Sequence, residues 1–374
     1  MKIKDFGVEI WMGLYENDCE YNLAETCVES FTVNQLLDFT DSKDEAIKKM
    51  LDAKLDYGAI EGSVRLRKGI AELYKEKKVE NITITHGAIG ANALTIMTLV
   101  EPGDRVISLV PTYQQHYSMP ESIGAEVKIV KLKAENNFLP DLNELKSYVN
   151  ENTKLICICN PNNPTGSLMD ENFLKEIVKI AKSVDAYILS DEAYRGLNHE
   201  GDSFAPSIAD LYEKGISTGS MSKTFSMAGV RIGWVAAPTE VIEAINKQRD
   251  YHIISCGVLD DMLATIGIEN KEKIIKRNID IVRNNIDMLD KWVQKEPLIT
   301  YVKPKGGTTA LLKYDIDITS KELCLRLLEQ KGVMLLPGSE LGMEGYLRIG
   351  FANTPSIVRE GLEKFSEFLV QFKK

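Results

Sequence analysis

One lysine in this chain is set apart by its neighbours. In Ser220-Met221-Ser222-Lys223 two small hydroxyl residues stand just before it, and Arg231 follows where an apolar run begins. Most lysines are simply solvated. Hydroxyls and a guanidinium together suit a phosphate, and an amine held beside them could act as a nucleophile or a proton carrier. Asp191, in Ser190-Asp191-Glu192-Ala193-Tyr194, closes another apolar run. A carboxylate at a buried strand end is costly unless it is paired or hydrogen-bonded. No histidine or carboxylate cluster lies near it in sequence, so no metal is expected. The segment Asn160-Pro161-Asn162-Asn163-Pro164-Thr165-Gly166 fixes its backbone with two prolines and a glycine. An asparagine held there, such as Asn163, can offer its amide to a ligand oxygen. Gly87-Ala88-Ile89-Gly90 opens a helix, where backbone N–H groups and the helix dipole can face an anion, although plain packing is the commoner use of such glycines. Tyr113, after Pro111-Thr112, could stack on a flat ring or merely cover the end of a sheet.

Each of these segments follows or precedes a short apolar run, and the runs alternate with helical patterns from about residue 82. That is the signature of a mostly parallel α/β sheet, in which ligands sit beyond the carboxyl ends of the strands. Strands are expected at 82–87, 105–111, 126–133, 155–160, 186–194 and 231–238, and helices at 91–100, near 114–123 and at 171–184. In the helix at 171–184, Phe173, Ile177, Ile180 and Val184 form the expected apolar stripe. A longer helix is expected at 271–294, because Ile275, Ile279, Val282, Ile286, Leu289 and Val293 recur in steps of four and three. At about 35 Å it could connect two domains. Beyond 298, YVKP, TTALLKY, KELCLRLLEQKG and YLRIGFA read as a small α+β unit. Residues 1–45 lack strong periodicity and are expected to join that unit or wrap a neighbour.

The set NPNNPTG, SDEAY and SMSKTFSMAGVR, in this order and spacing, resembles the class I/II aminotransferases of pyridoxal-5'-phosphate (PLP) fold type I, the aspartate aminotransferase superfamily. The match runs across about residues 57–353. The resemblance implies an α/β fold, with a large domain (46–274) around a mostly parallel seven-stranded sheet. A small α+β domain would be built from 1–45 and 275–374. It implies that Lys223 forms the Schiff base with PLP and afterwards shuttles a proton, and that Asp191 pairs with the pyridine nitrogen. Asn163 and Tyr194 would hydrogen-bond the phenolic oxygen, with Asn163 also near substrate, and Tyr113 would stack on the ring. Ser220, Ser222 and Arg231 would hold the phosphate with the backbone of Gly87, Ala88 and Ile89. Arg348 would clamp the substrate carboxylate. Tyr57 would reach the phosphate of a neighbouring subunit, which implies a homodimer with shared sites. Two departures stand out. The family's N-terminal glycine near the substrate is missing from NLAETC (22–27). No clear second arginine awaits a side-chain carboxylate, Arg65, Arg67 and Arg249 being the candidates.

Composition sets the outer limits. The 374 residues point to two domains, and the formal charge of -10 argues against a nucleic-acid backbone binder. No run approaches the roughly 18 apolar residues of a membrane span, and MKIKDFGVEIWMG does not read as a secretory signal. The six cysteines lack metal or redox spacing, so they read as reduced core residues of a cytoplasmic protein. The expected activity is transfer of an amino group between an L-amino acid and a 2-oxo acid. The alternative is PLP-dependent elimination or ring closure with the same lysine, because YNLAETCVESFTV resembles a branch that includes capreomycidine synthase. A non-catalytic PLP-binding regulator would need a DNA-binding segment that has no room here. A nicotinamide dehydrogenase would need a G-x-G-x-x-G after a strand, which is absent.

Overall fold

The computed structural model describes residues 2–373. Thirteen strands follow one another along the described chain: β1 (Tyr21–Asn22), β2 (Ile82–His86), β3 (Arg105–Val110), β4 (Glu126–Lys131), β5 (Thr153–Cys159), β6 (Tyr187–Asp191), β7 (Gly215–Ser220), β8 (Ile232–Ala236), β9 (Ile299–Tyr301), β10 (Thr309–Tyr314), β11 (Val333–Met334), β12 (Leu336–Pro337) and β13 (Tyr346–Gly350). Seven of them form one sheet in the order β2-β8-β7-β6-β5-β3-β4. All its pairings are parallel except those of β8, which runs against both β2 and β7.

That reversal matters for the site. The other six strands end at one edge of the sheet, where Gly87, Pro111, Asn160, Asp191 and Ser220 lie. Because β8 runs the other way it begins at that edge, with His86 opposite Ile232 and Ser220 opposite Gly233. Arg231 therefore enters the same rim although it precedes its strand rather than following one.

The expected strands at 82–87, 105–111, 126–133, 155–160 and 231–238 all form, with ends shifted by up to two residues. The expected strand 186–194 stops at Asp191, which turns Glu192–Tyr194 out of the sheet. Strand β7, GISTGS, was not expected from its sequence. It has one aliphatic residue, yet it is buried throughout at the middle of the sheet. A Cβ on Gly215 would meet the Ile208 carbonyl oxygen at 2.2 Å, and one on Gly219 would meet the Trp234 ring at 2.4 Å. Close approach of neighbours, not hydrophobicity, fixes those two glycines. The helix Glu171–Lys182 buries Leu174, Ile177, Val178 and Ala181. Its buried face is therefore rotated from the expected stripe, and Phe173, Ile180 and Val184 sit at the margin.

A second sheet, β12-β13-β10-β9, is antiparallel, and β1 pairs in parallel with β11. The helix Lys271–Val293 links the two bodies of structure. Its Ile274 and Ile275 join a core with Ile84 and Trp234 of the large sheet, whereas Val282, Ile286 and Leu289 join a core with Leu312, Leu347 and Phe365. The N-terminal segment divides in the same way. Val8, Trp11, Leu23 and Val28 pack into the C-terminal core, while Phe31, Leu36 and Phe39 pack beside β2 and β8. No described helix is long and apolar enough to cross a membrane.

Candidate active site

A cleft of about 290 Å³ lies between the carboxyl rim of the large sheet and the C-terminal body. Ala88, Ile89, Tyr113, Asn163, Asp191, Tyr194, Ser220, Ser222, Lys223, Arg231 and Arg348 all line it. Gly87 lies immediately behind it. Tyr57 is 74% exposed and does not line the cleft of its own chain.

One end of the cleft is built for an anion. The helix Gly87–Leu99 begins with no side-chain cap, which leaves its first N–H groups without intrahelical acceptors. Gly87 N donates to the Arg231 carbonyl oxygen, and Gly87 adopts φ +67°. A Cβ there would stand 2.8 Å from Arg231 Nη2, so glycine allows the guanidinium to lie against the helix start. Ser220 and Ser222, both buried, complete this end.

At the other end Asp191 is 6% exposed. Its Oδ2 accepts from Asn92 Nδ2 at 2.8 Å and its Oδ1 from Ala193 N at 3.0 Å. His116 Nε2 stands 3.8 Å from Oδ2. Burial keeps the His116 pKa below its ordinary value, against the pull of Asp191. Asn92 is itself fixed by Thr218 Oγ1, which donates to its Oδ1 at 2.7 Å. The neighbouring Glu192 serves the scaffold instead, accepting from Ile208 N and Ser217 Oγ.

The three asparagines of NPNNPTG divide their tasks. Asn160 exchanges two hydrogen bonds with the Met169 backbone, and Asn162 caps its own loop by accepting from Thr165. Asn163 alone faces the cleft. Its Nδ2 donates to Tyr194 Oη at 3.2 Å, and its Oδ1 accepts from Arg348 Nη1 at 3.4 Å. Arg348, on β13, is 4% exposed. Its Nη2 donates to the Ala24 carbonyl oxygen and its Nε has no partner. Among the described residues it has no carboxylate within ion-pair distance. A buried guanidinium in that condition is costly, and burial lowers its pKa. An incoming carboxylate would complete it.

Lys223 Nζ lies 2.7 Å from Thr26 Oγ1, 3.2 Å from Cys27 Sγ and 3.8 Å from Glu25 Oε1. Burial opposes its charge, but Cys27, Tyr194 and Glu25 outweigh burial and hold the ammonium above the usual lysine range. Burial also raises Cys27 and Tyr194, and among the described residues Glu25 is the carboxylate within ion-pair distance of the ammonium. The Glu25 carboxylate is folded onto its own backbone, Oε1 accepting from Thr26 N and Cys27 N at 2.6 and 2.7 Å. Thus NLAETC, which lacks the family's glycine, brings Ala24, Glu25 and Thr26 to the cleft.

None of the three candidate side-chain arginines lines it. Arg65 pairs with Glu269 and Arg67 with Glu61, while Arg249 is fully buried against Thr83 and the Ile60 carbonyl. No motif in the sequence marks Asn92, His116, Glu25, Thr26 or Glu9 as site residues. Asn92 left a trace there, as the lone amide in the otherwise apolar ANALTIMTLV.

An anion cradle, an amine, a buried acid and an aromatic wall at Tyr113 together match the phosphate, aldehyde, ring nitrogen and ring of PLP. The chain belongs to the family described as aminotransferase class I and II, which it matches over residues 12–365. Its whole length superposes on the whole of a PLP-dependent aminotransferase from Streptococcus suis, with a TM-score of 0.97 and 43% identity. It is 32% identical to an aspartate aminotransferase of Pyrococcus horikoshii, over 87% of this chain and 86% of the other. It is also 29% identical to a capreomycidine synthase of Streptomyces vinaceus, over 82% of this chain and 79% of the other. It is a PLP-dependent transaminase of the aspartate aminotransferase-like fold.

Proposed function

We propose that this transaminase moves the amino group of an L-amino acid to a 2-oxo acid with Lys223 as the working amine. The observation that carries the reading is the pairing of Lys223 with the buried, anion-less Arg348 in one cleft. Bound PLP supplies an electron sink for the bond broken at the substrate α-carbon. The chain's residues do the rest. Arg348 clamps the substrate carboxylate and so orients the α-carbon. Lys223, once its amine is free and neutral, would take the proton that leaves the substrate α-carbon and hold it for return. Asp191, held by Asn92 and Ala193, keeps the ring nitrogen protonated. Tyr194 and Asn163 bond the phenolic oxygen, and Tyr113 covers the ring. Ser220, Ser222, Arg231 and the N–H groups of Ala88 and Ile89, beside Gly87, hold the phosphate.

The exposed Tyr57 reaches the phosphate in a second copy of the chain, making a homodimer with shared sites. Leu55, Val64 and Tyr251, all strongly exposed and apolar, support such a surface. Light scattering that found a fully active monomer would remove the shared site. Six free cysteines, five of them buried, accord with a reducing cytoplasm.

The test is an absorbance spectrum of the purified protein with a panel of L-amino acids. A donor that converts the cofactor to pyridoxamine phosphate and leaves its 2-oxo acid establishes transamination. Release of ammonia or a cyclic amino acid with PLP retained would point to elimination or ring closure. A protein that gains no visible-edge band with added PLP would overturn the reading.

A further inference from the structure

The charges of the cleft do not balance without a ligand. Its basic residues are Lys223, Arg231 and Arg348, and in the working enzyme all three are engaged, by the cofactor aldehyde, the phosphate and the substrate carboxylate. Its acids are Asp191, engaged with the ring nitrogen, and Glu9, Glu16 and Glu25. The last three remain. Glu9 accepts from Tyr113 Oη, and among the described residues neither Glu9 nor Glu16 has a cation within ion-pair distance. Glu25 has only Lys223, at 3.8 Å. Its side chain is 37% exposed, and its Oε1 accepts from two backbone N–H groups that hold the carboxylate at the cleft. In the same cleft the unpartnered Nε of the buried Arg348 marks where the substrate's carboxylate ends, and Glu25 and Glu9 are near enough to support its charge against burial.

Resting on the transaminase reading, we infer that the amino donor carries a cationic side chain, an amine or a guanidine, recognised by Glu25 with Glu9 and Glu16. A dicarboxylic donor meets three like charges and no spare arginine of this chain, and like-charge contact is strongly unfavourable. The Lys223 ammonium, 3.8 Å from Oε1, already stands within ion-pair distance of this carboxylate.

The test compares charged donors with uncharged ones of the same shape: L-arginine with L-citrulline, L-lysine with L-norleucine, and L-aspartate as the opposite charge. Binding is read by calorimetry on enzyme loaded with pyridoxamine phosphate, which does not react with amino acids. Turnover is read as kcat/KM on the PLP holoenzyme. The inference predicts that at least one charged member binds about tenfold or more tighter than its neutral counterpart, with L-aspartate weakest. It also predicts that Glu25→Gln lowers this charged-to-neutral ratio about tenfold. Equal binding within the pairs overturns the inference while leaving transamination intact, as does an L-aspartate preference. An equal loss for charged and neutral members in Glu25→Gln also overturns it, because Glu25 would then read the α-ammonium common to all donors. If no amino acid is transaminated, the transaminase reading falls, and the binding order still decides the inference.

Discussion

Asn92→Ala tests the support behind Asp191. Asn92 is fully buried, donates to Asp191 at 2.8 Å and accepts from Thr218 at 2.7 Å. Truncation removes one hydrogen bond to a charged group and one between neutral groups, worth about 1.5–3 and 0.5–1.5 kcal/mol. The sum is about 2–4.5 kcal/mol, since both former partners stay buried. A chain of 374 residues gains on unfolding about 0.8 kcal/mol per kelvin at 2.1 cal/mol/K per residue. The expected loss is therefore about 3–6 °C in Tm, read by calorimetry on the cofactor-free protein. Asp191 would also lose its fixed orientation, so PLP affinity should fall about 10–100-fold in an absorbance titration, as when a supporting residue behind a ligand is removed. Thr218→Val leaves the Asn92–Asp191 bond in place and should move PLP affinity by much less. If Asn92→Ala keeps wild-type Tm and PLP affinity, Asp191 does not depend on this contact.

Two further outcomes follow from the charges. Arg348→Met should raise KM for the amino donor about 100-fold, by loss of a buried ion pair. It should also raise the Tm of ligand-free protein by about 1–5 °C, since an unpaired buried charge is removed; an unchanged KM would place the carboxylate clamp elsewhere. For Glu25, burial opposes ionisation, but the Lys223 ammonium and the Cys27 and Thr26 N–H groups outweigh it and lower the carboxyl pKa below about 4.5. A lowered folded-state pKa means that its stabilisation is present above about pH 4.5 and is lost as the pH falls through the lowered value. The Tm difference between wild type and Glu25→Gln should therefore shrink on acidification from pH 6 to 3, and a difference that grows would contradict the Glu25–Lys223 pairing.

The motifs legible in the sequence were those whose composition is constrained at one point in the chain. NPNNPTG, SDEAY and SMSK sit where strands end, and the sheet brings those ends together, so spacing along the chain translated into one rim. Strand β7 escaped notice because its glycines answer to Ile208 and Trp234, contacts made across the fold rather than a pattern along it. The helix Glu171–Lys182 is legible in the sequence but its buried face is not, since Leu174 and Val178 offer as good an apolar stripe as Phe173 and Ile180. Asn92, His116 and Glu25 act through partners 75 to 198 residues away, and no local pattern announces such a partner. NLAETC was noticed for its missing glycine, whereas its charged residue faces the cleft.

The most direct test of the account is borohydride reduction of the PLP-loaded protein, followed by proteolysis and peptide mass analysis. The account predicts a single phosphopyridoxyl-modified peptide with the modification on Lys223, and none in Lys223→Ala, which should also be devoid of turnover. A modification on another lysine, or near-normal turnover in Lys223→Ala, would contradict it.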